Sequence, residues 1–203
     1  MASIAFPDHS KQIDLSDGTH YSYVKVTPQP GKPTLLLLHG YPSSSFGWHH
    51  QVKQSISAGY GVIAPDFLGY GDTSAPTDVA AYDHTKIAKQ IAEILDAEKI
   101  STVIAIGHDW GAGFLSVFAR MFTKRISLLI FICVGYGNSH EMMTDMHGLD
   151  AQLKQLFGRE LFGYWQFHNK PEAASILDNA DVGCHVSWER TALFFLKRQS
   201  ALS

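Results

Sequence analysis

The sequence predicts an α/β protein built on a mostly parallel sheet with crossover helices. Three short, continuous apolar runs have the length of single strands: "TLLLLHG" (34–40), "YGVIAPD" (60–66) and "TVIAI" (102–106). Such runs are typical of strands that are buried on both faces. Helical patterns alternate with them along the chain, which is the arrangement of a parallel sheet whose strands are joined by helices.

The first element is predicted to be a β-hairpin at the edge of this sheet. Residues 11–26, "KQIDLSDGTHYSYVKV", alternate around Asp17-Gly18, a pair that favours a two-residue turn between antiparallel strands. Farther along, "DHTKIAKQIAEILDAEK" (83–99) has the apolar spacing of an amphipathic helix, with Asp83 at the N-cap position. Its buried face is predicted to contain Ile87, Ile91, Ile94 and Leu95.

The later elements divide the chain into two parts. A helix over about 111–122 and a strand in "SLLIFICV" (127–134) complete the sheet pattern, and we expect Cys133 to be buried and reduced. After about residue 135 the strand signals give way to helical segments in "AQLKQLFGRELFGYWQF" and "KPEAASILDN". We therefore assign 1–137 to the core and 138–203 to a helical cap segment with a divergent tail.

The composition excludes several function classes. The net charge is −3 and no basic run occurs, which argues against a nucleic-acid partner. The N-terminus lacks the features of a signal peptide, and no apolar run has membrane-spanning length, so we expect a cytoplasmic chain without a membrane span. The two cysteines have no histidines at zinc-like spacing, and we expect no metal.

The stretch "GHDWG" (107–111) carries the main chemical signal. It has the small-x-nucleophile-x-small pattern of a nucleophile elbow, with Asp109 at the apex between a strand and a helix. A carboxylate with an ordinary pKa of about 3.9 is already anionic at neutral pH. It can attack a strained or activated sp³ carbon and form an ester, so epoxides and haloalkanes suit it. The alternative is that Asp109 only caps the following helix.

Two further motifs fall at the same edge of the predicted sheet. "HGYP" (39–42) follows one strand, and "DFLGYGDTSAP" (66–76) follows the next. Together with "GHDWGAG" (107–113), in this order and spacing, they resemble the α/β-hydrolase superfamily and, within it, the soluble epoxide hydrolases. The resemblance extends from about Ile13 to Asp181. It implies an α/β-hydrolase fold that needs no metal or organic cofactor and a small-molecule epoxide as substrate.

The resemblance also implies roles for individual residues. Asp109 would be the nucleophile, and the backbone N–H groups of Tyr41 and Trp110 would form the oxyanion hole. The substrate pocket would be shaped by three side chains: His39, Pro42 and Trp48. For Trp48, a place in the core as an ordinary aromatic residue is an open alternative.

Tyr164 is the candidate acid for ring opening. The segment "GYWQFH" (163–168) is similar to the family segment that carries the first of the cap tyrosines. A phenol with a pKa of about 10 stays protonated at neutral pH and can donate a proton to the leaving oxygen. The alternative is that Tyr164 only packs within an amphipathic helix.

The chain departs from the family pattern after the cap. The family continues into two more strands, which supply an acid and the histidine that activates water, whereas this sequence ends at Ser203. We therefore expect a C-terminally truncated core, slow or absent ester turnover, and an exposed sheet edge through which the chain could self-associate. Four histidines lie before or within the cap, and none is assigned as the base: His140, His147, His168 and His185.

Two alternative functions remain open from the sequence. A haloalkane dehalogenase uses the same nucleophile but needs N–H donors directed at the halide. Tyr41 offers no side-chain N–H after His39-Gly40, so the epoxide reading is favoured. The second alternative is a non-catalytic truncated fragment or binding module, which the absence of an assignable base histidine favours.

Overall fold

The computed structural model describes residues 2–137, 146–159 and 162–179. The chain divides into two compact units, Met1–Met142 and Met143–Ser203. The first unit contains a six-stranded sheet with the order β1-β2-β4-β3-β5-β6. In chain order its strands are β1 Ser10–Asp14, β2 His20–Val26, β3 Thr34–Leu38, β4 Gly61–Pro65, β5 Val103–His108 and β6 Ile126–Ile132.

The sheet is mixed, as predicted. Strands β4, β3, β5 and β6 pair in parallel, whereas β1 pairs with β2 and β2 with β4 in antiparallel fashion. All five residues of β4 are buried, which agrees with an apolar run covered on both faces. The parallel strands bring the loops after β3, β4 and β5 to the same edge of the sheet, where ligand sites of open α/β folds lie.

The N-terminal hairpin is confirmed, but the predicted two-residue turn is wrong. The Leu15 N–H donates to the Thr19 carbonyl, and the Gly18 N–H donates to the Leu15 carbonyl, so three residues form the loop. Gly18 has φ +83°, a left-handed conformation that completes this longer turn type. The Asp17 carboxylate accepts the Thr19 N–H at 2.9 Å and stabilises the turn.

Helices cover both faces of the sheet. Helices α1 and α2 pack on one face through Ala2 and Val52, together with Phe6 just after α1. Helices α3 and α4 pack on the other face through Ile91 and Leu115. The bounds are α1 Ala2–Ala5, α2 His49–Ser57, α3 His84–Ala97 and α4 Trp110–Met121. The sequence patterns did not predict α2, because this largely polar helix buries only two of its residues.

Helix α3 confirms its sequence pattern. The Asp83 carboxylate accepts the N–H groups of Thr85 at 2.9 Å and Lys86 at 3.1 Å, which is the predicted N-cap. The predicted apolar face is buried at all four positions: Ile87, Ile91, Ile94 and Leu95. The helix therefore joins the core through one stripe and leaves its other face to solvent.

The prediction of a buried Cys133 is wrong. Cys133 is exposed and has φ +69°, and it lies just past the end of β6. Strand β6 is an end strand of the sheet within the described part of the chain. Three of its apolar side chains are correspondingly exposed: Leu128, Ile130 and Ile132.

The second unit is helical in its described residues. Its helices are α5 Met146–Phe157, α6 Gly163–His168 and α7 Ala173–Asp178. The sequence predicted helical structure in 151–167, and within this range Gly158, with φ +71°, ends α5 with an N–H bond to the Lys154 carbonyl. None of the helices in the described ranges is both long and apolar enough to cross a bilayer. The predicted cytoplasmic location stays a prediction.

Candidate active site

Asp109 lies on a strained turn between β5 and α4. Its backbone has φ 54° and ψ −123°, which is rare for a residue with a side chain. Two backbone hydrogen bonds hold the turn: the Asp109 N–H donates to the Ile132 carbonyl at 3.1 Å, and the Ala112 N–H donates to the Asp109 carbonyl at 2.9 Å. The end of β6 and the first turn of α4 thus fix Asp109 from both sides.

Glycines make this turn sterically possible. A Cβ on Gly107 would lie 2.6 Å from the Gly111 carbonyl oxygen, and a Cβ on Gly111 would lie 2.2 Å from the Leu38 carbonyl oxygen. Both distances are shorter than any real Cβ contact, so each position requires glycine. The flanking glycines of the motif therefore let β5, α4 and the end of β3 approach closely beneath Asp109.

The carboxylate of Asp109 is held by the loop that follows β3. The Tyr41 N–H donates to Oδ1 of Asp109 at 3.0 Å. Asp109 as a whole is half-buried. The Tyr41 backbone N–H therefore fixes one carboxylate oxygen of Asp109 in place.

His39 links the start of this loop to the segment that follows β4. Its Nε2 accepts the Phe67 N–H at 3.0 Å, so the ring proton lies on Nδ1, which donates to the Gly40 carbonyl at 3.0 Å. Burial lowers the pKa of His39, although the hydrogen bond to Gly40 and the charge of Asp66 act in the opposite direction. The imidazole is therefore neutral near pH 7, and both of its nitrogens are engaged. Its predicted role in lining the pocket stays a prediction.

Pro42 and Trp48 lie in different environments. Pro42 is exposed and follows a cis Tyr41–Pro42 peptide bond. Trp48 is 7% exposed and packs with Val52 in the core cluster under α1 and α2. Its ring meets His108 edge-on at 6.4 Å. These contacts favour the alternative of a core aromatic residue for Trp48.

Trp110 lies in the first unit and Tyr164 in the second. Trp110 is the first residue of α4 and is half-buried. Tyr164 lies in α6, where its ring packs edge-on against Trp165 at 5.7 Å and His168 at 6.2 Å. His140 and His185 lie outside the described residues.

Sequence reasoning assigned no role to Asp66, although its motif was recognised. The Asp66 side chain is fully buried directly after β4, and its carboxylate accepts the Ser45 N–H at 2.7 Å and the Ala2 N–H at 3.0 Å. The sequence held one signal for these contacts. An aspartate directly after a wholly apolar strand indicates a buried carboxylate, and a buried carboxylate requires hydrogen-bond donors.

Residues 33–173 match the alpha/beta hydrolase fold family. The chain belongs to this family. As an α/β hydrolase fold protein, it resembles epoxide hydrolases in sequence. It is 41% identical over 102 residues to an epoxide hydrolase of Caballeronia sordidicola, and these residues make up 50% of this chain and 30% of that protein. It is 32% identical over 150 residues to epoxide hydrolase 2 of Siraitia grosvenorii, which covers 74% of this chain and 46% of the relative.

Solved structures of α/β hydrolases agree with this relationship. Epoxide hydrolase A from Mycobacterium thermoresistibile matches with a TM-score of 0.55 and 32% identity, over 60% of this chain and 38% of that one. An epoxide hydrolase from Vigna radiata matches with a TM-score of 0.60 and 26% identity, over 73% and 46% of the two chains. The chain thus spans less than half the length of each of these relatives.

Proposed function

We propose that Asp109 is the nucleophile of an epoxide hydrolase-type reaction. The observation that carries this proposal is the geometry of its carboxylate: it stands on a strained turn, half-buried, with Oδ1 held by the Tyr41 N–H at 3.0 Å. A helix cap would instead direct its side chain at the N–H groups of the helix, and Asp109 makes no side-chain cap bond to α4. The similarity to epoxide hydrolases supports the substrate class.

The proposed reaction has two covalent steps. Oδ2 of Asp109 attacks a ring carbon of the epoxide, the bond from that carbon to the ring oxygen breaks, and the oxygen takes up a proton. Water then adds to the carboxyl carbon of the ester, and the negative charge develops on Oδ1. The Tyr41 N–H, together with the Trp110 N–H, would stabilise this charge. The bond between the carboxyl carbon and Oδ2 then breaks, and Oδ2 leaves in the diol with one proton from the water. The oxygen of the water restores the carboxylate, and its second proton passes to solvent.

Tyr164 is the proposed proton donor in the first step, and residues 138–203 are the proposed cap. The family resemblance of "GYWQFH" supports this assignment, and Tyr164 is half-buried in α6. Without such a donor the ring oxygen would leave as an alkoxide, which is a much poorer leaving group near neutral pH.

We further propose that the ester turns over slowly in this chain. Activation of water requires a base, and histidine is the usual one. His39, the buried histidine beside the loop, has both ring nitrogens engaged and cannot accept a proton without breaking the Phe67 bond. His39 is therefore not proposed as the base, and a slowly hydrolysed ester would be detected as a long-lived alkyl-enzyme after exposure to an epoxide.

Product analysis tests the proposal and its alternatives. The protein is mixed with styrene oxide, and separately with a haloalkane, and the products are followed with the intact mass of the protein. We expect a mass increase of one epoxide per chain, little diol and no free halide. Halide release would favour the dehalogenase alternative, and rapid diol formation would show that a water-activating base is present. No adduct and no product would leave the non-catalytic alternative.

We also propose self-association through β6. Strand β6 lies at one end of the sheet that the described residues form, and Leu128 and Ile130 are 53% and 38% exposed on it. A strand with free backbone groups and exposed apolar side chains can pair with a second copy of the chain. Sedimentation velocity should show concentration-dependent dimers that Ile130→Lys reduces. A monomer at all concentrations would contradict this proposal.

A further inference from the structure

The loop that carries Tyr41 is anchored at both ends by two consecutive residues. At its start, the Phe67 N–H donates to Nε2 of His39 at 3.0 Å. At its end, Oδ1 of Asp66 accepts the Ser45 N–H at 2.7 Å. Residues 40–44 therefore lie between two fixed points, and both points belong to the segment immediately after β4.

The environment of Asp66 indicates that its carboxylate is held in one orientation. The side chain is fully buried, and its Oδ2 accepts the Ala2 N–H at 3.0 Å. Gly71, with φ +60°, passes so close that a Cβ there would lie 2.6 Å from the same oxygen. The bond from the Ser45 N–H to Oδ1, at 2.7 Å, is likewise buried and holds the end of the loop to this carboxylate.

We propose that Asp66 is a positioning residue, which holds the loop so that the Tyr41 N–H stays directed at Oδ1 of Asp109. The reaction part of this inference rests on the function proposed above, whereas the positional part is independent of it. Two acceptor oxygens are required, because Asp66 receives an N–H on each. An asparagine offers one acceptor and turns an NH₂ group toward the other N–H, so it cannot satisfy both partners.

The first test is Asp66→Asn. We would measure hydrogen exchange of the Tyr41 amide by NMR and the rate of adduct formation with styrene oxide in the same protein. We expect faster exchange at Tyr41 and alkylation slowed by about 100-fold, the cost of a displacement of roughly 1 Å at a reacting group.

A second variant removes the same hydrogen bond without changing the buried carboxylate. Ser45→Pro deletes the Ser45 N–H at the first residue of a short 3₁₀ helix, a position that proline tolerates. Ser44 is already extended, with φ −146° and ψ −175°, as a residue before proline prefers. This variant should reproduce both effects of Asp66→Asn, and it provides the test if Asp66→Asn does not fold.

Tyr21→Phe is the matched control. It removes another buried hydrogen bond, from the Tyr21 hydroxyl to Oε1 of Gln90 at 2.9 Å, whose partners are neither Asp66 nor residues 39–45. It should lower thermal stability and leave Tyr41 exchange and alkylation unchanged.

The positioning role is overturned if Asp66→Asn and Ser45→Pro leave Tyr41 exchange at the wild-type value, or if Tyr21→Phe raises it equally. Faster exchange in a chain that forms no adduct would support the positioning role and contradict the proposed function.

Discussion

Gly40 provides the most direct steric test of the candidate site. A Cβ at this position would lie 2.4 Å from Oδ1 and 2.5 Å from Cβ of Asp109, and 2.8 Å from the His108 carbonyl oxygen. Ordinary Cβ contacts begin near 3.4 Å, so Gly40→Ala forces the loop and the Asp109 carboxylate apart by about 1 Å. Since two of these three atoms are not free to rotate away, the change must disturb the Tyr41 hydrogen bond to Oδ1.

The expected loss follows from this displacement. A misplacement of about 1 Å at a reacting group costs on the order of 100-fold in rate. Loss of an oxyanion donor costs a further 100-fold to 1,000-fold in steps where charge develops on that oxygen. Single-turnover alkylation by styrene oxide, followed by intact mass, should therefore be slower by about 100-fold in Gly40→Ala.

Gly113→Ala is the matched control for this prediction. Gly113 lies in α4, the helix that follows Asp109, and a Cβ there meets nothing within 4 Å. Alanine in a helix interior is favoured over glycine by about 1 kcal/mol, so this variant should be as stable as the wild type or more so, with an unchanged alkylation rate. The steric reasoning is refuted if Gly40→Ala alkylates at the wild-type rate while it remains folded.

Three further predictions concern stability and proton donation. Burial raises the pKa of Glu98, but hydrogen bonds from Lys11, Lys25 and Tyr23 outweigh it and lower the pKa from 4.5 to about 2. The stability that Glu98 contributes is thus fully present above about pH 4.5 and is lost as the pH falls toward 2. Glu98→Gln should lower the free energy of unfolding, measured with urea, by about 2 kcal/mol at pH 7. The same variant should show a weaker dependence of this free energy on pH between 4.5 and 2. Asp83→Ala should cost about 1 kcal/mol through loss of the α3 cap, measured by the same assay, and equal stability would contradict the cap. Tyr164→Phe should slow alkylation by roughly 100-fold to 10,000-fold at neutral pH, and an unchanged rate would remove Tyr164 from the mechanism.

The sequence predicted the fold wherever the pattern was periodic and long. Helix α3 and its N-cap at Asp83 could be predicted from the sequence because one apolar stripe of the helix enters the core. Helix α2 could not, since its contacts with the sheet are made mainly through Val52. The exposure of Cys133 was also not readable, because an apolar run does not reveal that its strand lies at the end of the sheet.

The site was predictable to the extent that local sequence determines it. Glycines around Asp109 indicate a tight turn, and the structure gives that residue φ 54°. The contact between Tyr41 and Asp109 was implied only by family resemblance, because the two residues are far apart in the chain. The role of Asp66 needed coordinates, since nothing in its motif shows that its carboxylate binds the N–H of Ser45.

Mapping of the alkylated residue is the most direct test of the central claim. Trypsin releases the peptide Ile100–Arg120, in which Asp109 is the only acidic side chain. After treatment with styrene oxide, fragmentation of this peptide should place the added mass on Asp109, and Asp109→Asn should abolish the adduct. Added mass on the neighbouring His108 instead, or an equal adduct in Asp109→Asn, would contradict the account.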